Sequence, residues 1–242
     1  HVNHMIRAVA DSETEFVRGF CEDNGVECFV KKVNVVGLSE KLKISCEEAG
    51  RNVRYDFFDE IFDKVGANKI AIAHNKNDNA ETVLMNIMRG SGVSGLKGIE
   101  PVRDGKFIRP LIEIDRKSIE QYCVDENLNP KFDESNKENV YTRNKVRNLL
   151  IPYIEKEFNP NIIKTINRLS EISKEESKYI ENQTVEKYNE ILIEENLSND
   201  KKEPKVILNL KKFNEADLVI KRRLILYTIN RVLGNTQNIE KI

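Results

Sequence analysis

The hydrophobic pattern of the first hundred residues switches repeatedly between two periods, and this switching constrains the fold more than any other feature. Helical spacing comes first. Phe16, Val17, Phe20 and Cys21 recur at one- to four-residue steps, Ser12-x-x-Glu15 has capping-box form, and Gly25 supplies a stop. Residues 27–35, ECFVKKVNV, are rich in β-branched and aromatic side chains and predict a strand. A second capping box, Ser45-x-x-Glu48, opens a helix whose apolar face carries Val53, Phe57, Phe58, Ile61, Phe62 and Val65 before Gly66. KIAIA (69–73) is short and almost wholly apolar, as in a strand buried on both faces of a parallel sheet. The next helix, from about Asp78 to Arg89, turns Ala80, Val83, Leu84, Ile87 and Met88 inward. This alternation predicts an α/β fold with an open, doubly wound, mostly parallel, Rossmann-like sheet. Ligands of such sheets bind beyond the carboxyl ends of the strands.

Past residue 100 the pattern changes. KFIRPL (106–111) reads as a short strand, a helix follows near 115–127, and then comes the polar stretch NPKFDESNKENVYTRNKVR. From about 145 onward the chain reads as a helical extension. Ile162, Ile166, Leu169 and Ile172 mark a long, charged helix running to about 195. LSNDKKEPK (197–205) has linker composition, VILNL reads as a strand, and 214–233 predicts an amphipathic helix with Asn214 as N-cap and Gly234 as stop. The apolar runs are too short to span a bilayer. Four scattered cysteines without metal-ligand rhythm suggest reduced thiols and a cytoplasmic setting. At net charge −1, nucleic-acid contact would depend on local basic patches.

Three constellations carry chemistry. HVNH (1–4) and AHN (73–75) both read as strand ends, which puts His1, His4 and His74 on one rim. The turn after His74 delivers Asp78, and Glu81 lies one helical turn further at the edge of the apolar arc. Such a pair could hold Mg²⁺, orient a histidine or position a general base; it would equally serve as helix-dipole acids beside a rim histidine. RGSGVSGLKGI (89–99) places four glycines in nine positions, but it follows a helix, so it reads as a C-cap with tight turns rather than a phosphate loop. In YTRNKVR (141–147), Arg143 and Arg147 stand four apart with no acid among the seven residues. That spacing is either a two-pronged grip on phosphate or a solvated helix start.

Taken together, HVNHMIR, EEAGRNVRYDFF, AHNKNDNAETVLMNIMRGSGVSGLKGI, IRPLIEIDRKSIEQYC and DESNKENVYTRNKVRNLLIPYI resemble, in order, segments of the tRNA(Ile)-lysidine synthetases of the PP-loop ATP pyrophosphatase superfamily. The resemblance covers roughly residues 1–170. It implies an adenine nucleotide alpha-hydrolase-like fold, ATP and Mg²⁺ as cofactors, and free L-lysine and a CAU-anticodon tRNA(Ile) as partners, with a homodimer as a further possibility. ATP would adenylate the C2 oxygen of the wobble cytidine with loss of pyrophosphate; the lysine amine would then displace AMP. It further implies His74, Arg54, Asp78 and Glu81 as catalytic residues, with His74 the candidate for taking the lysine proton. Asp78 and Glu81 would also hold metal. His1, Asn3 and Arg109 would bind ATP, and Arg143, Arg147 and Arg116 would contact tRNA or substrate. The implied domains are a catalytic domain over 1–158, a helical linker over 159–200 and the start of a tRNA-binding region over 201–242.

Three departures stand out. The superfamily's S-G-G-x-D-S loop is absent and is expected on a strand, turn and helix preceding His1, so a chain without it is expected to be inactive alone. The usual HHxDDQ reads HNKNDN, with Asn75, Asn77 and Asn79 in place of His, Asp and Gln, which weakens a two-carboxylate metal role. The C-terminal region is expected to be truncated. Alternative readings are a tRNA thiolase of the same superfamily, or an inactive fragment that retains only tRNA binding.

Overall fold

In the computed structural model, which describes residues 1–7, 9–131, 138–197 and 204–234, β1 (Val2–Asn3) and β2 (Lys31–Lys32) pair in parallel through α1 (Ala10–Asp23). The side chain of Asn3 ties this crossover together. Its amide donates to the Ala10 carbonyl, the Asp11 carboxylate and the Thr14 hydroxyl, and its carbonyl oxygen accepts from the Met5 N–H. The helix starts two residues before Ser12, whose hydroxyl donates to the Val9 carbonyl instead of capping.

The strand expected over 27–35 is confined to β2, because the side chain of Asn34 accepts from the Gly37 N–H and opens a helix, α2 (Val35–Leu42). In α3 (Cys46–Lys64), Ser45 caps the Glu48 N–H as the capping box requires, and Val53 and Phe57 are buried, while Val65 just beyond is exposed. β3 (Ile70–Ala71) pairs in parallel with β5 (Phe107–Ile108), which pairs antiparallel with β4 (Val102–Arg103). Ile70 and Ile72 are half-buried and Ala71 and Ala73 exposed, so this strand is covered on one face rather than two. The parallel pairings are those of an α/β fold, and among the described residues they lie in separate small sheets. Asp115 caps α6 (Arg116–Asp125), and α7 (Thr142–Lys145) follows. Residues 132–137, which include the whole of DESN (133–136), and 198–203 of the expected linker lie outside the described residues.

The chain divides into two units, His1–Asn79 with Ile99–Asn144, and Ala80–Gly98 with Lys145–Ile242. The division falls within α4 (Lys76–Met88). In the second unit Ala80, Val83 and Ile166 form a buried cluster; Ile87 and Met88, expected inward, are 46% and 54% exposed. α5 (Val93–Leu96) packs on α9 (Ile162–Ile191). The buried stripe of α9 is mostly small and polar: Asn167, Ser170, Ser173, Ser177 and Thr184 are buried, whereas Leu169 and Ile172 are exposed. Close backbone approach explains the reversal. Ser170 donates to the Lys97 carbonyl at 2.7 Å, and a Cβ added to Gly95 would lie 2.3 Å from the Ser91 Cβ. The glycine-rich segment is thus a packing device, with Gly90 and Gly98 at positive φ in its turns.

A five-residue π-helical turn, Val146–Leu150, leads into α8 (Ile151–Glu157). α9 stops four residues short of the expected 195 and gives way to β6 (Leu192–Asn196), antiparallel to β7 (Lys205–Leu208). The helix expected from Asn214 is two helices: α10 (Leu210–Glu215), capped by Asn209, and α11 (Leu218–Leu233), closed by Gly234 at φ 73°. Tyr188, Ile191 and Leu224 form the core here. Burial of each large apolar side chain contributes about 1.5–3 kcal/mol.

Candidate active site

AHNKNDN folds as a reciprocal capping box. The Asn75 side chain accepts from the N–H groups of Asn77 and Asp78, and the Asp78 carboxylate accepts from the Asn75 N–H at 3.0 Å. The other two asparagines hold neighbouring loops: Asn77 accepts from the Arg116 N–H and Asn79 from the Ile99 N–H. These three positions therefore anchor backbone rather than gather charge.

The remaining Asp78 oxygen accepts from Arg143 at 3.2 Å in the first unit. In the second unit Glu81, 1% exposed, is gripped by Arg147 through two parallel bonds of 2.6 and 2.9 Å. Each acid faces an arginine more than sixty residues away in sequence, so the basic YTRNKVR segment is neutralised by partners outside it. This revises two expectations. Arg147 is committed to a buried carboxylate and is not a loose phosphate grip. Asp78 and Glu81 do not fit as Mg²⁺ ligands, because a guanidinium against each carboxylate opposes a dication. Among the described residues no three His, Cys, Asp or Glu side chains converge as a metal cluster.

His74 is half-buried, and its Nδ1 accepts a 3.1 Å bond from Arg109 Nε. Burial holds its pKa below the ordinary 6.5; Asp78 opposes that shift, while Arg109, Arg143 and Arg51 add to it. Arg109 is 7% exposed and also donates from Nη1 to the Glu100 carbonyl, so it serves the interior rather than reaching for ATP. Arg51 and Arg103 both stack on the Tyr55 ring, at 4.8 and 4.9 Å.

A hollow of about 280 Å³ opens in the same unit. His4, Ile6, Gly50, Arg54, Tyr141 and Arg143 line it, with Cys46, Glu47 and Asn144. His4 Nδ1 is buried with no hydrogen-bond partner among the described residues. Burial and then Arg54 lower the His4 pKa, leaving a neutral imidazole at neutral pH. Gly50 lies against that ring: a Cβ there would stand 3.4 Å from His4 Cε1, in van der Waals contact. Arg143 connects the hollow to Asp78, and through that charge to His74. The lining surface is mostly apolar, and it carries two arginines, one acid and an unsatisfied ring nitrogen, which suits a ligand bearing both anionic groups and a flat hydrogen-bonding ring.

Of the other expected residues, Asn3 is 2% exposed and fully used by the fold, and His1 lies exposed. Arg116 forms a surface pair with Glu120 at 2.7 Å. Sequence reasoning missed the roles of His4, Arg51 and Arg103. His4 had a legible signal as a rim histidine; the stacking arginines had none, since ring contacts across elements leave no local pattern.

A PP-loop domain model matches residues 1–154. The chain is 46% identical over 242 residues to the tRNA(Ile)-lysidine synthase of Clostridium acetobutylicum and 44% identical over 242 residues to that of Clostridioides difficile, covering 51% of each. It is 45% identical over 241 residues to the tRNA(Ile)-lysidine synthase of Caldanaerobacter subterraneus and covers 50% of that protein. The chain therefore spans about half the length of the curated relatives it matches. Among solved structures it is similar to the U34-tRNA thiolase NcsA from Methanococcus maripaludis, with TM-score 0.53 and 22% identity over 70% of this chain and 61% of that one. That last likeness is one of fold alone. No helix among the described residues is long and apolar enough to cross a membrane.

Proposed function

This chain belongs to the PP-loop domain family, and from that membership we propose that it uses ATP to join free lysine to C2 of the wobble cytidine in a CAU-anticodon tRNA(Ile). The cytidine C2 oxygen attacks the α-phosphorus of ATP and pyrophosphate leaves. The lysine amine then attacks C2, the C2–O bond breaks with AMP as leaving group, and the amine proton is lost. Negative charge grows on both departing groups, so fixed cations nearby stabilise the transition states. The observation that carries this reading is the hollow lined by His4, Arg54 and Arg143, in a chain 46% identical along its whole length to a lysidine synthase.

Within this reading Arg54, exposed and lining the hollow, meets the nucleotide phosphates. Arg143 is half-exposed, and Asp78 can release it to an anionic ligand or share it. Arg116 suits tRNA contact, because an exposed pair with Glu120 is worth only about 0–1 kcal/mol and exchanges readily for a phosphate. Arg147 and Glu81 brace the second unit from within. The test is Arg54→Ala in the full-length protein. Adenylation, read as pyrophosphate released from ATP with cognate tRNA, is expected to vanish while tRNA binding is retained; equal loss of both would remove the nucleotide from the hollow.

A further inference from the structure

We propose that Arg109 is a positioning residue that holds His74 as a neutral imidazole carrying its proton on Nε2, so that His74 offers the reaction a hydrogen-bond donor and not a base. The proposal rests on the ligase reading only for its link to catalysis. The tautomer itself follows from geometry.

A guanidinium has donors and no acceptor. When Arg109 Nε–H points at His74 Nδ1 across 3.1 Å, that nitrogen must present its lone pair, and the ring proton is left on Nε2. A second proton on the ring would set one N–H against another and one cation against another. Arg109 has little freedom to turn aside. It is almost fully buried, its Nη1 is spent on the Glu100 carbonyl, and its own N–H bonds the Pro101 carbonyl at 2.9 Å, immediately after β5.

The groups facing His74 strengthen the effect. Arg109 comes from the end of β5, Arg51 from α3, Arg143 from α7 and Asp78 from α4. Three guanidiniums stand against one carboxylate, and Arg143 already engages that carboxylate. Acidification therefore charges His74 only at a pH below its ordinary midpoint. In the proposed reaction the Nε2–H would donate to an oxygen of the nucleotide or its leaving group, and the lysine proton must go elsewhere. The expectation that His74 removes it is revised accordingly.

The experiment is imidazole nitrogen NMR on ¹⁵N-histidine-labelled protein, with His74→Gln used for assignment, through a pH titration without ATP or tRNA. The native chain is expected to show His74 neutral at pH 7 with the proton on Nε2. A proton on Nδ1, or an imidazolium at that pH, would overturn the proposal. Arg109→Met should release the ring to a tautomer mixture and raise its midpoint, and an unchanged Nε2–H pattern would overturn the positioning role. Arg109→Lys, whose ammonium has donors and no acceptor, should retain the native tautomer, so the native and Lys spectra decide the matter even if the Met variant does not fold. These spectra involve no substrate. A protein with the expected tautomer that makes no lysidine would defeat the functional reading alone.

Discussion

Two arginine–carboxylate pairs, one in each unit, show how burial divides residues of the same chemistry into different work. Their spacing is alike, three positions between the acids and four between the arginines. Asp78 and Arg143 meet at 3.2 Å, with side chains 14% and 37% exposed; Glu81 and Arg147 meet at 2.6 Å, with side chains 1% and 24% exposed. The first pair borders a hollow and can trade partners at modest cost. The second is a desolvated, bidentate clamp, and opening it would strand a charge in the interior. A carboxylate pair that looks catalytic in sequence is thus one candidate ligand group and one structural brace.

The largest break in this contrast is Arg147→Ala. Leaving Glu81 buried and unpaired should cost about 3–5 kcal/mol in chemical denaturation. A cost below about 1 kcal/mol would put the two pairs in the same class. Arg143→Ala should cost only about 0–1 kcal/mol of stability while lowering adenylation in the full-length protein, which separates function from folding. Loss of stability without loss of adenylation would invert the assignment.

Acidification probes the same asymmetry more gently. All three histidines lie in the first unit, and His4 and His74 titrate below 6.5 in the folded state. Between those depressed values and 6.5 the unfolded chain binds protons more readily than the folded one. Stability should therefore be level above about pH 7 and decline as the pH falls through 6.5. Denaturation midpoints at pH 7.5 and 5.5 check this, and the difference should shrink in His74→Gln; a rise in stability on acidification would contradict it. The smallest effect is expected from Gly50→Ala. Its new methyl meets His4 Cε1 at 3.4 Å, so stability should change by less than about 1 kcal/mol. Binding of ATP in the hollow should weaken, as fluorescence titration would show.

What the sequence made legible was local. Ser45 and its apolar face placed α3, Asp78 fell in the first turn of α4, and Gly234 ended α11, because caps and 3.6-residue spacing are read from neighbours. Two local signals misled. Ser12 looked like a cap inside a helix already begun, and VVGLSEKL hid α2 behind β-branched residues and a glycine. The rest was long-range. The acids that neutralise Arg143 and Arg147 lie 65 and 66 residues away, and α9 buries Ser170 where the Lys97 carbonyl of the glycine-rich segment comes within 2.7 Å. The fold class was therefore readable, while the partner of each charge was not.

The π-helical turn at Val146–Leu150 has an evolutionary consequence. A wide turn of this kind amounts to a one-residue insertion into an α-helix. Deleting a single residue there would restore regular winding and rotate everything downstream by about 100° relative to what precedes it. A frame-preserving indel in this stretch should therefore be far less tolerated than a substitution: the clamp on Glu81 depends on the count of residues as much as on their kind.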